Sequence, residues 1–482
     1  MTREPPIWTL TATQLQARLR TGALSAEAVM AATLEHVARR EGDLKAFSHV
    51  DAEGAMEAAR QADRRLAQGA APGPLHGIPV SVKDLIGVRG LPLTYASRVF
   101  EHDVAEDDVS AVARLRAAGA IPFAKSTTPE FGHKVLTDSP LVGVSRNPWN
   151  PALTCGGSSG GAGIAAAMGF GPLHVTSDGA GSGRIPAACC GVVGLKPTWG
   201  AVAHEATTDL FGSLTCLGQM ARTVADVALL FNAMKGPDPR DPWSHGGSAG
   251  PVGLPDDPVA ALSGLRFRLA LRTNNDWVHP HVEARVRAAV EALAGAGARE
   301  VALPGPVRPD IASALVLMRA YQSARFGALI AAEGHRMDRT VRLGLDPANA
   351  ISYERLRDAQ RARTDMFREV ERLLDGADVF ITPTVAAPPP PVEQQADAPL
   401  VVDGVERGPL RQAWYPYTIP YNATGHPAIS VPCGFTDAGL PVGIQIAGRW
   451  HDEARLLAVA AALEKLMPWA DVWPAAAGHG QA

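Results

Sequence analysis

Between residues 155 and 171 the chain reads CGGSSGGAGIAAAMGFG, a run in which most side chains are a hydrogen, a methyl or a hydroxymethyl group. Such a segment has little side-chain surface to bury. It is stabilised only where its backbone is packed directly against neighbours, so the part after the serines is expected to be a close-packed helix. It is too short and too rich in glycine to cross a bilayer. A second glycine-rich segment, SDGAGSGR at 177–184, follows five residues on.

The surrounding pattern alternates between helix and strand periods. From 11 to 67 apolar residues recur at helical spacing, with Ser25 placed to cap a run of good helix formers. Behind Pro74 and Gly77 the period changes, and Ile78, Val80 and Val82 alternate in a predicted strand that ends at Lys83 and Asp84. A helix over 110–118 and a strand over 121–124 follow, then strand-like GVVGLKPTWG and helical ARTVADVALLFNAM. This order is that of an α/β protein. A glycine- and proline-dense surface connection spans 236–258. Beyond it come a strand in LSGLRFRLAL, a helix in HVEARVRAAVEALAGAGA, a strand entering a proline-rich turn over 375–391, and a hairpin over 427–448.

Composition narrows the function. The 482 residues are 46% hydrophobic and 20% charged with a net charge of -4, and no lysine or arginine block occurs, which argues against nucleic acid or an anionic membrane as partner. A small-molecule substrate is expected. The five cysteines, Cys155, Cys189, Cys190, Cys216 and Cys433, show no paired CxxC spacing of a zinc or redox site. Reduced thiols and an N-terminus without an apolar h-region fit a cytoplasmic protein.

The serines of the two glycine-rich segments raise the question of chemistry. Serine becomes a nucleophile when a base takes its proton and fixed donors receive the charge on the attacked carbonyl. Gly179, Ala180 and Gly181 carry little or no side chain, so their N–H groups can converge as a nest beside Ser182. Ordinary glycine-serine turns are the competing reading. A phosphate loop is disfavoured, since neither GxxxxGK[ST] nor GxGxxG is present here, and GxSxG is absent in its usual setting. Spacing alone selects none of His76, His133, His174 or His426 for a Ser-His-Asp triad.

GIPVSVKD, CGGSSGG and SDGAGSGRIPAACCGVVGLKPTWG, in that order, together with AKSTTPEFG, PAISVPCGF and GLPVGIQIAG, resemble the amidase signature family over nearly the whole chain. The resemblance is to stand-alone amidases of the aryl-acylamidase, nylon-oligomer hydrolase and urethanase type. It implies an α/β fold, a large mixed twisted β-sheet covered by helices on both faces. One domain over 1–482 is expected, with N-terminal helices to 70, a catalytic core over 71–235, a connection and helical insertion over 236–375, and C-terminal strands and helix from 376.

Carried over by position, the resemblance implies Ser182 as nucleophile, Ser158 as a serine behind a cis peptide bond that relays protons, and Lys83 as base. The N–H groups of Gly179, Ala180, Gly181 and Ser182 would form the oxyanion hole, with Ser159, Asp178 and Arg184 as support. A lysine at the end of an apolar strand is desolvated, which favours its neutral, basic form. No metal or organic cofactor is implied. The expected substrate is a small amide, carbamate or ester, and the expected state a monomer or homodimer. The alternatives are the glutaminase subunit of a tRNA-dependent amidotransferase and a non-enzymatic binding protein on the same fold.

Some positions depart from the family pattern: Gly179-Ala180, Gly183 directly after the nucleophile, and Cys155. Gly183 predicts a roomier acyl pocket, and Cys155 a small buried thiol. Pocket walls are expected from 131–137, 207–216, 318–326 and 414–421. Trp414, Tyr415, Tyr417 and Tyr421 are read either as lining of an apolar site or as core.

Overall fold

The computed structural model describes residues 4–207, 209–212, 214–246, 250–345 and 350–478. Thr208 and Ser213 of the expected 207–216 wall, and 247–249 of the connection, lie outside the described residues.

The strands, in chain order, begin with β1 Phe47–Val50, β2 Pro79–Lys83, β3 Ile121–Ser126, β4 Asp138–Ser139 and β5 Gly143–Val144. They continue with β6 Leu173–Asp178, β7 Val193–Lys196, β8 Cys216–Ala221, β9 Arg266–Leu269 and β10 Arg299–Glu300. The last are β11 Val379–Pro383, β12 Pro399–Val402, β13 Val405–Pro409, β14 Ala428–Phe435 and β15 Pro441–Ala447. Eleven of them form one sheet in the order β1-β3-β2-β6-β8-β7-β14-β15-β11-β9-β10. Its β3-β2-β6 and β11-β9-β10 pairings are parallel and the others antiparallel, so the sheet is mixed.

Every residue of β2, β3, β6, β7, β8, β11 and β15 is buried. Burial of successive residues means that both faces of the sheet are covered, since neighbours on a strand point opposite ways. The alternation expected at 78–82 is therefore no sign of an exposed face. Ser81, between Val80 and Val82, is as buried as they are and pairs with His174 Nδ1 on β6 at 2.8 Å.

The small-residue run folds as helix Gly160–Met168, wholly buried. It packs on the sheet at backbone range: a methyl group added at Gly161 would collide with the Ala46 carbonyl and the Thr127 amide. The N-terminal region is helical over Ala12–Arg20, Ala26–Arg40 and Ala52–Ala67, and Ser25 accepts from Ala28 N–H at 3.0 Å. Within it lies β1, which an all-helical reading of 11–67 overlooks. Its four residues are too few to establish a period, and pairing with β3 holds it at the sheet edge. The long insertion supplies helices Ile311–Glu333 and Tyr353–Leu374, packed against one another.

Candidate active site

Lys83 ends β2 with its side chain fully buried. Its Nζ donates to Ser158 Oγ at 2.7 Å and to Ser177 Oγ at 3.1 Å. Burial pushes this ammonium down to about 7, against an opposing pull from the Asp178 carboxylate. Near neutral pH the group is thus divided between its acidic and basic forms.

Ser158 follows a cis peptide bond, Gly157-Ser158. Its neighbour Ser159 straps the two glycine-rich segments together, since Ser159 N–H donates to the Ser182 carbonyl at 3.0 Å and its Oγ to the Ser177 carbonyl at 3.2 Å. Ser182 keeps a small exposure, 8%, where it faces a cavity of about 90 Å³ that Ser158 also lines. Among the described residues no hydrogen bond joins the Ser158 and Ser182 hydroxyls, and no histidine nitrogen bonds either one.

The 179–183 turn is shaped by Asp178 and Arg184, both fully buried. Arg184 grips the carboxylate with two parallel bonds, Nη2 to Oδ1 at 2.9 Å and Nε to Oδ2 at 3.0 Å. Gly181 N–H at 2.7 Å and Gly183 N–H at 3.1 Å donate to the same carboxylate. Burial alone would raise this carboxyl; Arg184, Lys196 and the Gly181 N–H together hold it well below the usual carboxylate range. At Gly181 φ is +109° and a side chain would run into Thr418, so only glycine fits this bend.

With Gly181 N–H committed to Asp178, the amides facing the cavity are fewer than the four expected. Those of Gly179, Ala180 and Ser182 donate to no protein acceptor among the described residues. Thr418 Oγ1 holds the Ala180 carbonyl at 2.7 Å and so fixes the direction of this turn.

Several contributors are invisible in the motifs. Arg184 also donates to Thr418 O, Gln445 Oε1 and Asn422 Oδ1, residues 234 to 261 positions away in the chain. The one available signal is generic: a buried guanidinium with five N–H groups demands acceptors. Ser177, which shares the Lys83 ammonium with Ser158, stands at the head of SDGAGSGR, and nothing in that motif distinguishes it from an ordinary turn serine.

One expectation is corrected and one open reading is decided. A Cβ on Gly183 would face Thr176 Oγ1 at 3.2 Å and Asp178 Oδ2 at 3.5 Å, under the turn and away from the cavity, so this glycine does not enlarge the acyl pocket. The four aromatics of 414–421 are buried in the core and none lines the cavity at Ser182, although Tyr417 and Tyr421 border a separate small apolar cavity. Trp414 Nε1 donates to the Ala387 carbonyl at 3.0 Å and Tyr417 OH to the Leu271 carbonyl at 2.8 Å. The cavity wall is instead built by Phe131 stacked on Phe326 with centroids 4.3 Å apart, and by Met318, Leu214 and Tyr321. Cys155 is a buried thiol pushed up to about 12 by desolvation, which leaves it unreactive.

A mixed sheet sheathed in helices, with a buried lysine reaching a serine on a glycine-rich turn, defines a class of acyl-bond hydrolase. Residues 28–457 match the family model described as Amidase, and the chain belongs to the amidase signature family. It is an amidase, an enzyme that hydrolyses amides. It is 35% identical to a glutamyl-tRNA(Gln) amidotransferase subunit of Chloroflexus aurantiacus, over 95% of this chain and 97% of that one. It is 34% identical to an acylamidase of Rhodococcus erythropolis, over 98% and 99%. Among solved structures, a bacterial aryl acylamidase superposes with a TM-score of 0.88 at 26% identity, over 98% of this chain and 99% of that one. Among the described residues no helix is long and apolar enough to cross a membrane.

Proposed function

We propose that this amidase acts on small organic amides through an acyl-enzyme on Ser182, with Lys83 as base and Ser158 as proton relay. The observation that carries the reading is the fully buried Lys83, hydrogen-bonded to Ser158 at 2.7 Å beside a Ser182 that opens on the cavity. In acylation neutral Lys83 takes the Ser158 proton as Ser158 takes that of Ser182, and Ser182 Oγ adds to the carbonyl carbon. The N–H groups of Gly179, Ala180 and Ser182 receive the oxyanion. The relay then returns the proton to the leaving nitrogen, because an unprotonated amide anion is a very poor leaving group, and the C–N bond breaks. Water, deprotonated by the same relay, attacks the ester and frees Ser182. Carbamates and esters acylate by the same steps.

A second reading, a glutaminase component of an amidotransferase, draws on the 35% identity to a protein of that name. The cavity favours the first. Free glutamine carries an ammonium, and among the described residues no Asp or Glu side chain lines the cavity to receive it, whereas Phe131, Phe326, Met318 and Leu214 offer apolar surface. A panel of anilides, aliphatic amides, carbamates, esters and glutamine, assayed with the wild type and Ser182→Ala, tests the choice. Turnover of anilides or aliphatic amides exceeding that of glutamine, and lost in Ser182→Ala, is expected. Glutamine as the best substrate would favour the second reading, and turnover undiminished in Ser182→Ala would refute the first.

A further inference from the structure

The cavity that Ser182 faces has an uneven charge. Among the described residues three cationic side chains line it, Lys134, Arg325 and Arg411, and no carboxylate does. Lys134 is neutralised, with Asp138 at 2.7 Å and Asp338 at 2.8 Å. The two arginines are not: neither is ion-paired with a carboxylate among the described residues, and each lies against aromatic rings instead. Arg325 stands 4.9 Å from the Phe326 ring centroid and 5.5 Å from that of Tyr95, and Arg411 stands 5.0 Å from that of Tyr415. Arg411 Nη1 is buried and has no hydrogen-bond partner among the described residues. His204, on the same wall, adds no charge near neutral pH, since burial and the Arg325 guanidinium push it down to about 4.

A buried guanidinium N–H without an acceptor is costly, and natural structures tolerate it where something else supplies the acceptor. An arginine flanked by an aromatic face keeps its planar fork free for a planar anion. We propose that Arg411, with Arg325, forms an anion subsite of the catalytic cavity and that the substrate is an amide with an apolar body and a carboxylate. The inference rests on the reading of Ser182 as the acylated residue. The apolar body lies against Phe131, Phe326 and Met318, and the carboxylate meets the Arg411 and Arg325 guanidinium groups that line the cavity without a carboxylate partner. A zwitterion fits less well than a simple anion, because nothing acidic on the described wall answers a positive charge. Arg411 is a specificity residue: it binds the substrate at a distance from the bond that breaks.

The carboxylate can sit on either side of the scissile bond, and matched amides separate the two. One pair places a terminal carboxylate or a terminal hydroxymethyl on the acyl arm of an anilide; the other places them on the amine arm. Intrinsic reactivity cancels when the ratio of kcat/KM within a pair is compared between enzymes. In one arm the wild type should favour the carboxylate about tenfold or more, and less so at high salt, as expected for a charge-assisted bond in an open site. Arg411→Gln should reduce that ratio about tenfold, Arg411→Lys should recover part of it, and Arg325→Gln should lower it in a variant that leaves the Arg411 fold contacts untouched. A wild-type ratio near one in both arms overturns the inference, as does an equal fall of both members of the pair in Arg411→Gln. Hydrolysis of the neutral members without preference would leave the Ser182 reading standing; absence of acylation at Ser182 by every amide would remove both.

Discussion

In the proposed mechanism Lys83 sets the pH dependence of the reaction. It acts as base only when neutral, and burial brings it to about 7 from an ordinary value of 10.5. We predict that kcat/KM rises with pH on an acid limb centred near 7, as protonated Lys83 gives up its proton, and that this limb vanishes in Lys83→Ala together with about 10³-fold of activity. A pH-rate profile for a neutral anilide checks both. The same burial has a stability cost. Between the folded and unfolded values the unfolded chain binds the extra proton, so this group's contribution rises with pH across the window from about 7 to 10.5. Gly183 makes the opposite case. The site it would fill lies against Thr176 and Asp178, so Gly183→Ala should leave the kcat/KM ratio between small and bulky acyl groups within about twofold of the wild type, the small effect typical of a change outside the pocket. From sequence this position invites a pocket interpretation because it adjoins the proposed nucleophile. Adjacency along a turn does not determine direction, and here the bend at Gly181 turns residue 183 under the loop.

At the scale of elements, the legible parts were those with a long period or a close backbone approach. Helix Gly160–Met168 announced itself because its residues have almost no side chain, and contact with Ala46 and Thr127 is the reason. Gly161→Ala should therefore lower stability by about 1–3 kcal/mol, the cost of overpacking a filled interior, read as a lower urea midpoint at unchanged slope. Asp178 and Arg184 are legible as support residues through the resemblance; the acceptors Thr418, Asn422 and Gln445 are not, since they come from the helix Ile419–Thr424, its N-terminal cap and strand β15, over two hundred residues on. Arg184→Ala takes away the ion-pair partner of the buried Asp178 carboxylate, and a loss of about 3–5 kcal/mol in thermal unfolding is expected. Above its unfolded value near 3.8 the carboxylate's pairing stabilises the fold fully, and that contribution fades as acid protonates it, so the deficit of Arg184→Ala should narrow as pH falls below about 4.

For the whole molecule, the one sheet brings Lys83 on β2 beside Ser177 on β6, and the helical insertion closes the far wall with Met318 and Phe326. The triad's candidates were readable because three short motifs carry them. The wall was readable only as four segments, and the fourth was misplaced: Arg411, not the aromatics after it, reaches the cavity. Aromatic residues advertise apolar lining, yet these four satisfy the core, and no local pattern distinguishes the two uses. The proposed mechanism stands or falls with Ser182, activated through Lys83, as the residue that carries the acyl group. Treating the full-length protein with a serine-reactive acylating probe and mapping the adduct by mass spectrometry tests it directly. One adduct, on Ser182, formed far more slowly in Lys83→Ala, is the predicted result; labelling of another residue, or undiminished labelling without Lys83, would contradict it.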